Sequence, residues 1–121
     1  MTCKEIAIAF LQMASGGNAR EAYERYVHPD FIHHNAWFKG DRETLLQGME
    51  DNAREFPNKQ IEVLRALEDG NLVAVHCKVA LDTDRVFGLI HLFRFEGGLI
   101  AEVWEGAQEV MKDSPNEHGI F

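Results

Sequence analysis

Cysteine is scarce in this chain, with two among 121 residues. Cys3 lies beside a terminus and Cys77 in a strongly apolar segment, so no disulfide framework is expected and a reducing, cytoplasmic setting is. Basic residues are also few. Twelve Lys and Arg against 20 Asp and Glu leave a net charge of −8, and no Lys or Arg run forms a stripe. Such a surface repels phosphate backbones and anionic lipid, so neither nucleic acid nor membrane is an expected partner. No apolar stretch approaches the ~18 residues of a membrane span. The N-terminal run that opens like a targeting signal is broken by Glu5 and Gln12. A Gly-rich phosphate loop, a dinucleotide fingerprint, a CxxC pair and a GxSxG turn are all missing, which removes the usual support for ATPase, dehydrogenase, dithiol and serine-hydrolase chemistry.

What is present is an ordinary apolar fraction of 45% and no low-complexity linker, the pattern of one domain over residues 1–121 with one core. Ile6, Phe10 and Met13 recur at helical spacing and Gly16-Gly17 stops the segment. A second helix is predicted from Asn18, with Glu21 three positions on as in a capping box, ending by residue 28 before Pro29. Residues 31–39 read as a strand or ordered loop. A third helix follows Asp41 and runs to about Phe56, with Leu45, Met49, Ala53 and Phe56 on one face. From residue 59 the period changes to 2, and segments 60–68, 72–81, 86–95 and 99–109 read as strands joined by DG, DTDR and EGG turns. Helices first and a strand meander after them indicate an α+β fold with the helices on one side of an antiparallel sheet. The terminal Ile120 and Phe121 are expected to fold back onto the domain or onto a partner.

Turn lengths give a register. An Asp69-Gly70 turn places His76 opposite Val63, and a loop over residues 82–85 places His76 opposite His91. A three-residue EGG loop closed by Phe95 and Leu99 puts Val103 opposite His91, with Glu105 on the same face; a two-residue GG loop instead puts Trp104 opposite His91 and sends Glu105 to the other face. With the longer loop His76, His91 and Glu105 interrupt an apolar wall that includes Leu89, Phe93 and Val103, the composition of a small-molecule pocket. The plain structural reading is that both imidazoles are hydrogen-bonded core or interface groups and Glu105 a solvated strand-end residue.

Imidazole titrates nearest neutrality, and a carboxylate among apolar groups has its basicity raised. A His and a Glu so placed can pass a proton to and from carbon next to a carbonyl, with a second His or Asn steadying the enolate oxygen. In the HHN stretch, His33 and His34 point oppositely if extended, so at most one of them enters the pocket beside Asn35. Trp37, Phe38 and Lys39 form an aromatic-basic cluster suited to capping a pocket or closing the core. No HxH or HExxH spacing supports a metal site. Cys77 alternates away from His76 and reads as a core cysteine, and Arg94 points away from His91.

At HHNAWFKGDRETL, VAVHCKV, HLFRFEGGLIAEVWEGAQEV and NEHGIF the sequence resembles the SnoaL-like polyketide cyclase family of the nuclear-transport-factor-2-like superfamily, over nearly the whole chain. The resemblance implies three N-terminal helices against a curved antiparallel sheet, a cone with a central pocket, and commonly a homodimer. It also implies intramolecular aldol condensation without metal or organic cofactor, with the general-base carboxylate at Glu105 and an associated imidazole at His91. The family usually carries Asp in an HWD stretch where this chain has Val103, Trp104 and Glu105.

The resulting expectation is acid–base proton transfer next to a carbonyl in a small hydrophobic substrate, a lyase or isomerase reaction. Glu105 and His91 are the catalytic pair, and His34, Asn35, His76, Trp37 and Phe93 contact the substrate. The alternative is a non-catalytic small-molecule-binding or dimeric assembly domain on the same scaffold.

Overall fold

The computed structural model describes residues 1–121. Its elements are α1 (Cys3–Ser15), α2 (Ala19–Tyr26), β1 (Val27–His33), α3 (Arg42–Glu55), β2 (Gln60–Asp69), β3 (Leu72–Ala80), β4 (Val86–Glu96) and β5 (Leu99–Glu109). The strands form one sheet in the order β1-β5-β4-β3-β2. The architecture is α+β as expected, but the sheet is mixed, because β1 runs parallel to β5. The reading of residues 31–39 as a strand or ordered loop caught only the end of β1 and not its parallel pairing, because the helical pattern of α2 continues through Val27 and Pro29 interrupts the alternation beyond it. In fact α2 ends at Tyr26, and Pro29 is tolerated because β1 is an edge strand.

The helix starts reflect local capping chemistry. Thr2 closes a capping box on α1: its hydroxyl accepts from Glu5 N–H at 3.1 Å, and Glu5 accepts from Thr2 N–H at 2.8 Å. The box expected at Asn18 does not form. Asn18 sits at φ −109° and ψ 39°, outside the extended geometry a cap requires, and its side chain makes no cap bond. Asp41 caps α3 by accepting from Thr44 N–H at 3.0 Å.

The helices pack on the face of the sheet formed by Val73, Val75 and Cys77 of β3 with Phe93 and Phe95 of β4, all buried. Phe10 of α1 meets Phe93 edge-on at 6.1 Å and Tyr23 of α2 at 5.4 Å, and Tyr23 meets Phe31 of β1 edge-on at 6.0 Å. This chain of rings joins both N-terminal helices to the sheet. On the opposite face Leu67, Leu72, Ile90 and Leu92 are exposed. Ile120 and Phe121 fold back there over Gly88, where a Cβ would stand 3.1 Å from Ile120 Cδ1. No helix is long and apolar enough to cross a membrane.

Each hairpin departs from its expected register. The first turn is Gly70-Asn71 closed by Asp69 and Leu72, with Gly70 at φ +60°, so His76 pairs with Arg65 and not with Val63. In the second, Leu81 N–H bonds Arg85 C=O and the Asp82 carboxylate accepts the N–H groups of Asp84 and Arg85, tightening a five-residue loop. Ala80 then pairs with Val86, His76 with Ile90, and Val75 with His91. His76 therefore lies on the face opposite His91, a correction to the expected grouping. In the third, Gly97 and Gly98 at φ +58° and +80° form a two-residue turn between Glu96 and Leu99. That turn alone would face Glu105 outward. A bulge comes next, however: Phe95 pairs with Ile100 and Arg94 with Glu102, leaving Ala101 as the extra residue. The bulge restores the face, and His91 stands directly across from Glu105.

Tyr23 is fully buried and its hydroxyl has no hydrogen-bond partner. Burial also raises its phenol pKa well above the ordinary value. Leaving a hydroxyl unpaired costs stability, so Tyr23→Phe is expected to hold Tm constant or raise it, a gain of about 1 kcal/mol. Thermal unfolding checks this, and a clear fall in Tm would mean that the hydroxyl has a partner.

Candidate active site

A cavity of about 560 Å³ lies between the helices and the inner face of the sheet. Leu11 and Ala14 of α1, Leu45 and Met49 of α3, and Ile61, Phe87 and Leu89 of the sheet supply its apolar wall. This is the volume range of small-molecule sites. Glu105 and His91 open into it from adjacent strands, and Asn35 reaches it from the loop after β1.

Glu105 is held at both oxygens. Oε2 lies 3.1 Å from His91 Nε2, and Oε1 accepts a short hydrogen bond from Asn35 Nδ2. The Asn35 amide has one orientation, because its Oδ1 accepts the Trp37 N–H at 2.9 Å, which turns the NH₂ group toward Glu105. Burial is the largest single influence on the Glu105 carboxyl and raises its pKa. The hydrogen bond and electrostatic pull of the His91 ring, then the Asn35 bond and the electrostatic pull of His33, outweigh burial, so the net displacement is downward. Glu105 is therefore an anion at neutral pH.

His91 is positioned from behind. Its Nδ1 lies 3.8 Å from the Cys77 sulfur, and its ring stacks on Phe93 at 5.8 Å with the planes 12° apart. Burial, with the Glu105 charge adding to it, pushes the Cys77 thiol up to about 11. The thiol thus keeps its proton and donates weakly to Nδ1, which leaves the Nε2 hydrogen for Glu105. Cys77 acts here as a supporting donor and not as a nucleophile.

The other expected site residues are dispersed. His76 sits on the outer face with Nδ1 against the Arg65 guanidinium. Phe93 is fully buried beneath His91 and does not line the cavity. His34 borders the cavity, but its ring turns outward, stacked on Trp104 at 5.0 Å with Nε2 2.7 Å from Glu102. Glu102 also accepts from Arg94 Nε at 2.9 Å. His33 is the inward histidine of the pair. Its Nδ1 accepts the Asn35 N–H at 3.0 Å, so its Nε2–H donates to Lys39 C=O at 2.7 Å. It braces the loop that carries Asn35. Trp37 stands at the cavity rim, 90% exposed, and does not close the core. No grouping of three or more His, Cys, Asp or Glu side chains is arranged to hold a metal ion.

Sequence reasoning missed the Cys77–His91 contact and the bracing role of His33. The first becomes readable once the loop after β3 is recognised as running from Leu81 to Arg85, because Ala80 then faces Val86 and Cys77 shares a face with His91. The second needs the path of the loop after β1, for which the sequence carries no signal.

A family profile described as a SnoaL-like domain matches residues 7–103. Among curated proteins none matches the chain in sequence. Several solved structures are similar to it. IdmH, a candidate polyketide cyclase from Streptomyces antibioticus, has TM-score 0.73 at 22% identity over 89% of this chain and 93% of its own. A candidate ketosteroid isomerase from Kribbella flavida has TM-score 0.73 at 21% identity, covering 98% and 87%. An uncharacterised cystatin-fold protein from Novosphingobium aromaticivorans has TM-score 0.76 at 20% identity, covering 88% and 98%. At these identities the likeness to solved structures is one of fold.

Because the folded-state pKa of Glu105 lies below the ordinary 4.5, the group contributes stability that is present above that value and lost as the pH falls through the folded pKa. Denaturant unfolding of the wild type and Glu105→Gln from about pH 7 to about pH 3 is expected to show a stability difference that shrinks on the acid side. In the same series Asn35→Ala, by removing a donor to the carboxylate, is expected to raise the Glu105 midpoint tracked by carboxyl NMR. A difference independent of pH would contradict the assigned pKa direction.

Proposed function

The chain belongs to the SnoaL-like domain family, and from that premise we propose that it catalyses cofactor-independent proton transfer at carbon next to a carbonyl in a small apolar substrate. The observation that carries the reading is the ionised Glu105 carboxylate on the wall of an apolar cavity, bonded to His91 and Asn35. In this mechanism Glu105 removes the proton from carbon and the electron pair moves onto the carbonyl oxygen as an enolate. The amide hydrogen of Asn35 that is not bonded to Glu105 would donate to that oxygen. His91 orients the carboxylate, and its Nε2 hydrogen limits charge build-up as the proton arrives and leaves. The enolate then takes a proton at another carbon, an isomerisation, or attacks a second carbonyl, a cyclisation. The sheet is read as curling about α1 and α3 into a cone around this cavity, in keeping with wall residues drawn from both helices and from β2 to β5.

One observation favours a second reading. Two hydrogen bonds hold the carboxylate and lower its pKa, which weakens it as a base, as suits a domain that binds a small molecule without turning it over. The two readings separate on a single experiment. With 1-tetralone in D₂O, the wild type is expected to accelerate deuterium incorporation next to the carbonyl, and Glu105→Gln to lose about a hundredfold or more of that rate while remaining folded. Equal rates for the two proteins would reject Glu105 as the base, and binding without exchange in the wild type would favour the non-catalytic domain.

A homodimer formed through the outer sheet face completes the proposal. Leu67, Leu72, Ile90 and Leu92 expose apolar surface there, and covering it would add to a small core. Light scattering is expected to give the mass of two chains, and Ile90→Lys the mass of one. A wild-type mass of one chain at every concentration would exclude the dimer.

A further inference from the structure

The cavity that holds Glu105 also contains a cation with no acidic partner. Lys59 lies between α3 and β2, and its side chain joins the wall beside Asn52, Ile61 and Leu81. Its ammonium donates one hydrogen bond, to Asn52 Oδ1 at 2.6 Å. An ammonium has three donors, so two are left without a protein partner. Burial is the only resolved influence on its pKa, which it lowers; no carboxylate acts against it. In contrast, Arg20, Arg25, Arg54, Arg85 and Arg94 each meet Asp or Glu at the surface. A partly desolvated ammonium facing an apolar cavity is costly unless something enters to neutralise it.

The register separates this cation from the proton-transfer pair. Gln60, next to Lys59, pairs with Ala80, and Ala80 with Val86, whereas Glu105 pairs with His91, five positions further along β4. Five residues of strand span roughly 17 Å. Apolar wall from Ile61, Phe87 and Leu89 lies among these groups.

We propose that Lys59, steadied by Asn52, anchors a carboxylate group of the molecule the cavity takes. The ligand is then an amphiphile, with its carboxylate at Lys59, its apolar body along Ile61 and Phe87, and its reactive carbonyl toward Glu105. A carboxylate fits better than a phosphate, because one ammonium and one side-chain amide supply few donors. The choice of substrate class rests on the proton-transfer reading above, while the anchor itself concerns binding alone.

The test uses two enolisable probes of one skeleton long enough to reach between the two groups, 10-oxo-10-phenyldecanoate and its methyl ester, titrated into wild type, Lys59→Gln, Lys59→Arg and Glu105→Gln by calorimetry near neutral pH. The wild type is expected to prefer the acid by about tenfold or more, the margin of one charge-assisted hydrogen bond. The preference should vanish in Lys59→Gln, return in Lys59→Arg and persist in Glu105→Gln. Equal affinities for acid and ester in the wild type, a preference unchanged in Lys59→Gln, or no binding of the acid at millimolar concentration would each overturn the anchor. Deuterium exchange on the same samples keeps the two proposals apart. Acid preference without exchange upholds the anchor and rejects Glu105 as the base; exchange with no preference for the acid does the reverse.

Discussion

The side to which Glu105 points is decided by one extra residue. A tight Gly97-Gly98 turn sets β5 against β4 in a register that would turn the carboxylate outward, and the bulge at Ala101 shifts the pairing by one before the strand reaches it. Side chains alternate along a strand, so the shift carries Val103 and Glu105 inward together and Glu102 and Trp104 outward. The His91 contact, the Asn35 bond and the downward pKa displacement all depend on that single insertion. So does the outer cluster of His34, Trp104, Glu102 and Arg94, which is assembled from residues the same shift sends to the other side.

Behind the pair, the supporting groups come from all around the cavity. Phe93 and Cys77 hold the imidazole from the sheet, while His33 and the Trp37 amide fix Asn35 from the loop after β1. Each supporting group has its donor and acceptor roles set by a second contact, so the carboxylate meets groups whose orientation does not need to change when a ligand arrives. The aromatic chain from Phe10 through Tyr23 to Phe31 fixes where the helices stand, and with them Leu11, Leu45 and Met49 on the cavity wall.

Most of the fold is legible in the sequence, because a period of 3.6 before Pro57 and of 2 after it marks three helices and four strands. The first half of β1 escapes because its edge position permits a proline and its first residue continues the apolar side of α2. The face shared by His91 and Glu105 is read correctly, but by a different route: a three-residue loop was expected, and a two-residue turn with a bulge beyond it is found. A bulge that leaves a small residue such as Ala101 unpaired has no distinctive signature. The same one-residue sensitivity misplaces His76. The loop after β3 closes one residue earlier than expected, with Ala80 in place of Leu81 opposite Val86, and that single step sends His76 to the face opposite His91.

Pro29 has an effect beyond marking an edge. It offers no amide hydrogen, and the next one, on Asp30, is already taken by His28 Nδ1 at 3.0 Å, so β1 presents a broken row of donors to any strand that approaches it. At the far border of the sheet, β2 carries the charged Glu62, Arg65, Glu68 and Asp69. Neither border makes a good template for amyloid-like growth, so the sheet is guarded against polymerising sideways.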